Sequence, residues 1–434
     1  MTSQAAAATE IPVPTREQLH WQRLEMGAFF HFGVNTFANL EWSDGTVPAS
    51  AFDPSDLDVG EWIDTAVAAG ARYAILTAKH HDGFCLWPTA TTDYSVASSP
   101  WRGGGGDLVG EFVEACRERG VLPGLYLSPW DRHEPSYADP QAYSEFYARQ
   151  LTELCTQYGP IAEIWLDGAG SEGYIYDWAR IMQVIDAHQP STIVFNMGRP
   201  SIRWVGNEDG LAHDPVEYVV TQTMSSQYTN LRIGLPEAAY LPPECDVSLR
   251  RGWFWHAKDA PKTLEHLLGI YYRSIGLGAN LLLNIPPDTR GRIDPLDARV
   301  ITEFGDELQR RFGTPLVATL TPLRDGEWLA EFDDEVTVDH VRVREDLSRG
   351  QRATNHELIA GGTTIASGRS IGVGRLHVLA EPVTTRELVV RVDGADPALS
   401  ELVAHRTGRT MLPRLPDDYT APTGRPDEHE SEWL

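Results

Sequence analysis

The sequence predicts an α/β protein in two parts, a (β/α)8-like TIM barrel followed by a C-terminal β-sandwich domain. Three observations carry this reading. Short apolar, β-branched or aromatic runs recur between stretches with helical spacing. The runs are continuously hydrophobic rather than alternating, so both strand faces are covered, as in a parallel sheet wrapped by helices. After about Thr314 the texture shifts to near-alternation of apolar and polar residues between Gly, Asp and Asn turns, the pattern of an antiparallel sandwich.

In chain order, strand-like runs lie at Gly27–Asn35, Ala71–Thr77, Leu122–Ser128, Glu163–Asp167, Thr192–Asn196, Tyr218–Thr221 and Ala279–Ile285. Helical spacing fills most of the intervals, at Val59–Ala69, Leu108–Arg119, Tyr143–Tyr158, Ile175–His188 and Thr263–Ile275. A barrel fits this alternation better than a doubly wound sheet, because no GxGxxG opens a helix after the first strand. The glycine run Gly103–Gly106 follows no strand, which makes it a loop and not a phosphate cradle. Sandwich strands are expected within Glu327–Phe332, Val336–Val343, Arg375–Leu379 and Glu387–Val392. The expected organisation is an N-terminal extension over 1–19, the barrel over 20–314, the sandwich over 315–411 and a flexible tail over 412–434, which lacks periodicity.

Composition removes several function classes. The 434 residues carry 36 basic and 62 acidic side chains, a net charge of −26, with no basic block to release counterions from a phosphate backbone. Neither nucleic acid nor an anionic membrane is an expected partner. Cys85, Cys116, Cys155 and Cys245 are scattered, form no CxxC pair and read as free thiols. The first residues have neither a basic n-region nor a long apolar run, so a cytoplasmic protein is expected unless a leader has been removed.

The chemistry concentrates at strand ends. Leu76–Phe84, LTAKHHDGF, sets Lys79, His80, His81 and Asp82 directly after an apolar run. Four ionisable side chains at the edge of a core must be solvated, paired or bound. In a barrel the carboxyl ends of the strands form the active-site face. The first strand contributes His31 there, with Glu41 and Trp42 in the following loop; the third gives Tyr126, then Trp130 and Asp131. The fourth ends in Trp165-Leu-Asp167, two residues apart and therefore on one face. Stacking rings beside hydrogen-bonding groups suit a sugar. Asp167, with Gly168 behind it, can act as a nucleophile, while Glu208 or Glu244, both read on later loops, can serve as the proton donor. Composition does not choose between those two.

Phe30-His-Phe-Gly33 with Glu41-Trp42, the segment Leu76–Trp87, Gly124–Ser128, Ile164-Trp-Leu-Asp-Gly168 and Asn280–Pro286 together resemble the α-L-fucosidases of glycoside hydrolase family 29. The resemblance spans about residues 20 to 310. Cys85–Pro88, Ser128–Asp131, Arg203–Glu208 and Glu244–Phe254 further resemble the branch that cleaves α-1,3/1,4-linked fucose from Lewis-type glycans. This resemblance implies retaining hydrolysis of a fucosylated oligosaccharide or glycoconjugate with no metal or other cofactor, and leaves the oligomeric state open. It implies Asp167 as nucleophile and His31, Glu41, Trp42, His80, His81, Tyr126 and Trp165 as fucose contacts. Glu208 is preferred as acid/base, with Glu244 reaching the neighbouring galactose instead. Phe32 stands where many members have tryptophan. Trp253, Phe30 or Phe32 would give the C5 methyl of this deoxy sugar an apolar wall. Lys79 and Asp82 would form structural pairs beneath the two imidazoles.

Three other readings stay in view, the first a broad-specificity α-L-fucosidase of the same family. His80-His81-Asp82 could hold a metal in a barrel hydrolase, although adjacent strand residues point to opposite faces and HxH suits one metal better. A barrel that kept the cleft and lost the chemistry would be a lectin-like binder. Trp62, Trp101 and Trp178 read as packing residues.

Overall fold

The computed structural model describes residues 11–226 and 231–416 and has both expected parts. The tail beyond 416 and the first ten residues lie outside the described residues. The chain opens with α1 (Arg16–Gln22), started by a capping box in which Thr15 accepts from the Gln18 N–H and Gln18 reaches back to Thr15. There follow β1 (Met26–Phe30), α2 (Val34–Ala38), α3 (Val59–Ala69), β2 (Tyr73–Lys79), α4 (Leu108–Glu118) and β3 (Leu122–Leu127). Next come α5 (Pro140–Gln157), β4 (Glu163–Trp165), α6 (Trp178–His188), β5 (Ile193–Phe195) and β6 (Arg203–Trp204). The aspartates Asp58, Asp107, Asp139 and Asp177 cap α3, α4, α5 and α6 by accepting their first N–H groups.

Eight parallel strands build the barrel sheet, in the order β5-β4-β3-β2-β1-β10-β9-β6, where β9 is Pro243–Ser248 and β10 is Asn280–Asn284. A parallel bridge from Phe195 to Ile202 brings the two edges together. The continuous hydrophobicity of the strands has a direct cause. On β1, Phe29 joins an inner cluster with Tyr73, Ile75, Tyr126, Trp165 and Phe195, while Ala28 and Phe30 pack outward against the helices. Phe30 therefore stacks on Trp62 and Phe32 meets the same ring edge-on, at ring centroid distances of 5.6 and 5.3 Å, rather than facing the barrel mouth as expected. Alternation along the extended chain sends Phe29 and His31 inward and their neighbours out.

Between β6 and β9 the structure departs from the expected alternation. The Tyr218–Thr221 run does not enter the barrel; it begins β7 (Val219–Ser226), which pairs antiparallel with β8 (Leu231–Tyr240) as a separate ribbon. Its barrel place is taken by β6, only two residues long, and by β9, whose Glu, Cys, Asp and Ser gave no apolar signal. After β9 come α7 (Leu264–Arg273), β10 and α8 (Pro295–Phe312), the last packing on α3.

The C-terminal part is an antiparallel sheet of seven strands, β11 (Leu316–Val317), β12 (Thr319–Arg324), β13 (Glu327–Glu345), β14 (Ala353–Ala360), β15 (Thr363–Gly368), β16 (Arg375–Gly394) and β17 (Leu399–His405). Register shifts in the two longest strands, β13 and β16, bend the sheet around a core that includes Trp328, Phe332, Val341, Leu358 and Val390. It is tied to the base of the barrel by Glu25, whose carboxylate accepts from Arg342 at 2.9 Å and Arg344 at 2.8 Å, and by the Tyr272–His340 hydrogen bond. All four cysteines are buried free thiols. Among the described residues no helix is long and apolar enough to cross a membrane.

Candidate active site

A cavity opens at the carboxyl ends of the barrel strands. Asp167, two residues beyond Trp165 on the β4 path, and Glu208, in the loop after β6, both line it. His31, Trp42, His80, His81, Trp165 and Trp253 line it as well. Both imidazoles of the pair reach the cavity because β2 ends at Lys79 and a turn follows, so opposite-face alternation no longer applies to His80 and His81. Beneath them Lys79 forms a fully buried ion pair with Asp131 at 2.8 Å. Asp82 forms no ion pair among the described residues: it accepts from the Phe84 N–H at 2.7 Å, and burial pushes its carboxyl up to about 7.

Asp167 is held at both oxygens. The Ala169 N–H donates to Oδ1 at 2.8 Å, and the Tyr126 hydroxyl donates to Oδ2 at 3.0 Å. Burial raises its carboxyl above the ordinary value while these two donors pull it back. Gly168 is required here, since a Cβ would strike the Ser225 hydroxyl and backbone carbonyl near the far end of β7.

The histidines are neutral because burial disfavours their charged forms. His31 is lowered to about 3, and His80 and His81 well below the ordinary value. Their tautomers follow from their partners. Asn284 Nδ2 donates to Ser248 Oγ and to the Trp253 carbonyl, so its Oδ1 accepts from His31 Nδ1 at 2.9 Å, leaving His31 Nε2 as an acceptor. Ser128 donates to the Trp130 carbonyl and accepts from His81 Nδ1 at 2.7 Å, so His81 Nε2 also presents a lone pair, 3.7 Å from Asp167 Oδ2. At that separation the two acceptors are not hydrogen-bonded. His80 Nδ1 has no partner among the described residues.

Three expected contact residues lie behind the wall rather than on it. Tyr126 is fully buried and acts on Asp167 from behind. Glu41 accepts from the backbone N–H groups of Trp253 at 2.8 Å and Phe254 at 3.3 Å and from His256 Nε2 at 2.5 Å. It thereby holds the loop that carries Trp253. Glu244 is a correction. It sits on a strand, not a loop, fully buried in the barrel interior, where it accepts from the Tyr73 hydroxyl at 2.6 Å and the Trp165 indole at 2.9 Å. No face of it is open to a sugar or a leaving group.

Asp246 was missed. Two residues beyond Glu244 on β9, it lines the cavity on the side of Glu208 and accepts from the Trp204 indole at 2.6 Å. Burial first and the charge of Glu208 second raise its carboxyl well above the ordinary value. Reading Pro243–Ser248 as a strand would have exposed it through simple alternation. Among the described residues no three metal-ligating side chains converge.

Rings for a carbon skeleton, neutral acceptors for hydroxyl groups and carboxyl groups at one barrel mouth are what cleavage of a sugar bond requires, so fold and site together define a glycoside hydrolase. The chain belongs to the alpha-L-fucosidase family, whose family model matches residues 36–311. It is 38% identical over 449 residues to Alpha-L-fucosidase 1 of Arabidopsis thaliana, an alignment covering 90% of this chain and 87% of the plant protein. A putative alpha-L-fucosidase from Bacteroides ovatus superposes with a TM-score of 0.84 at 36% identity, covering 94% of this chain and 76% of that one. A Ruminococcus gnavus family 29 fucosidase solved in complex with fucose gives a TM-score of 0.80 at 30% identity, covering 93% and 97%.

Proposed function

We propose that this enzyme is a retaining exo-α-L-fucosidase that removes terminal α-1,3- or α-1,4-linked fucose from Lewis-type oligosaccharides. The observation that carries this reading is the single cavity lined by Asp167, Glu208, Trp42, Trp165 and Trp253. Asp167 attacks the anomeric carbon while Glu208 protonates the leaving oxygen; water, deprotonated by Glu208, then releases fucose from the glycosyl-enzyme. A retaining geometry places the two carboxyl groups about 5–5.5 Å apart across the bound sugar. His31 Nε2 and His81 Nε2 accept from sugar hydroxyls. Trp253 and Trp42 cover the apolar face and the C5 methyl.

The test is a panel of α-1,2-, α-1,3-, α-1,4- and α-1,6-linked fucosides, with the first-formed anomer followed by NMR. Release from the α-1,3 and α-1,4 links alone, with α-fucose formed first and no effect of EDTA, is expected. Equal rates on all four links would replace the narrow specificity with a broad one, and β-fucose first would overturn retention.

A further inference from the structure

The barrel interior holds two carboxyl groups that no step above uses. Glu163 on β4 and Glu244 on β9 are both completely buried. The Trp21 indole donates to Glu163 Oε2 at 2.8 Å, while Tyr73 and Trp165 donate to the two oxygens of Glu244. Among the described residues Glu163 Oε1 meets no donor, and the two carboxyl groups interact directly. Among the described residues their neighbours are indole, phenol and amide groups, with no ion pair to either carboxyl group.

Two anions in contact inside a low-dielectric core are mutually prohibitive, so one must carry a proton. Burial and then the charge of Glu244 push Glu163 up; burial also raises Glu244, but the Tyr73, Trp165 and Glu163 donors pull it back. Glu244 accepts from two donors, Tyr73 and Trp165, and Glu163 from Trp21 alone, so the proton belongs on Glu163, at the oxygen without a donor, and the charge on Glu244.

The position of this pair gives it a role. Glu163, Trp165 and Asp167 alternate along β4 and its continuation, setting a carboxyl in the core, an aromatic floor above it and the proposed nucleophile at the mouth. The Trp165 ring stacks on Phe195 at 3.9 Å and on Tyr126 at 5.4 Å, and Tyr126 holds Asp167. The indole N–H is the polar handle that sets the orientation of this stack.

We propose that Glu163 and Glu244 share one proton and act as a single buried anion that fixes the Trp165 indole as the floor of the sugar cavity. Glu244 is thereby a positioning residue for fucose, acting through Trp165. The inference rests on the fucose site described above but not on linkage or on the identity of the acid.

Infrared difference spectra of the intact enzyme against Glu163→Gln at neutral pH test the proton. Loss of a neutral carboxylic-acid carbonyl band that shifts in D2O is expected; no lost band means that Glu163 is ionised, and the proposal fails. Calorimetric titration with fucose tests the role. Glu244→Gln is expected to weaken fucose about tenfold, the effect of one charge-assisted hydrogen bond, and Glu163→Gln by about threefold or less. Placed in a Trp165→Phe background, Glu244→Gln is expected to add nothing, because its effect passes through the indole. Additive losses would show a general structural role and overturn the proposal. The infrared comparison decides the proton even where Glu244→Gln does not fold. Failure to hydrolyse any fucoside would sink the activity reading while leaving both of these results readable.

Discussion

Tyr126 donates its phenolic hydrogen to Asp167 Oδ2 at 3.0 Å from a fully buried position, so the proposed nucleophile is held by a residue that lies outside the cavity. That hydrogen bond stabilises the ionised carboxylate against the burial that raises it. Tyr126→Phe keeps the ring stacked on Trp165 and removes only the donor. The loss of a hydrogen bond to a charged group is expected to lower kcat/KM by about 10- to 100-fold. With the donor gone the Asp167 carboxyl rises further, so the acidic limb of the kcat/KM profile moves to higher pH. A profile whose limb stays in place would separate Tyr126 from the ionisation of Asp167.

Asp167→Asn preserves shape and removes the oxygen proposed to attack. Turnover is expected to fall by about 10³-fold or more, with fucose affinity changed by about threefold or less, because the group acts in the transition state. Glu208→Ala is expected to lose activity most with poor leaving groups and, on activated fucosides that depart without an acid, to regain it with azide, which attacks the glycosyl-enzyme without needing a base. Steady-state rates and the anomeric form of the azide product check both roles. Azide rescue of neither Asp167→Ala nor Glu208→Ala would remove them from the chemistry.

Glu41 offers a test of the loop it anchors. Its carboxylate accepts from the Trp253 and Phe254 N–H groups and from His256, which also contacts Asn39. Glu41→Gln turns one acceptor into a donor facing donors, an unsatisfied arrangement costing about 1–3 kcal/mol. The expected result is a KM raised about tenfold with kcat changed less, since Trp253 loses its fixed place above the sugar. The same substitution in a Trp253→Ala background should then have little further effect on KM, as double-mutant kinetics would show.

How much of this was visible in the sequence depends on where the physical signal lies. Strand ends such as His31, His80-His81 and Trp165-Leu-Asp167 follow apolar runs, so their place at the mouth was legible, and the cavity does collect them. The β9 strand was not legible because its inward residues are acidic: Glu244 and Asp246 face the barrel interior and cavity, where an apolar pattern would otherwise mark a strand. Reading that stretch as a loop brought Glu244 to the surface on paper, whereas the β9–β10 register sets it opposite Asn280 in the core. Tyr126 and Glu41 show a different limit. Position along a strand gives the end of the barrel on which a side chain lies, but not whether it touches a ligand or the residue that does.

Glu25 makes the joint between the two parts of the molecule sensitive to acid. Burial would raise its carboxyl, but Arg342 and Arg344 together hold it down, from 4.5 to about 2. A carboxylate depressed in the folded state stabilises above its unfolded value and loses that contribution as pH falls through the folded one. The window therefore runs from 4.5 down to about 2, and the contribution above it is about 3 kcal/mol. Glu25→Gln also leaves two partly buried guanidinium groups short of a carboxylate, which is destabilising at neutral pH. Denaturant unfolding of wild type and Glu25→Gln is expected to differ most at pH 7, with the gap narrowing steadily below pH 4.5. A gap independent of pH would mean that the carboxylate charge is not what binds the sandwich to the barrel.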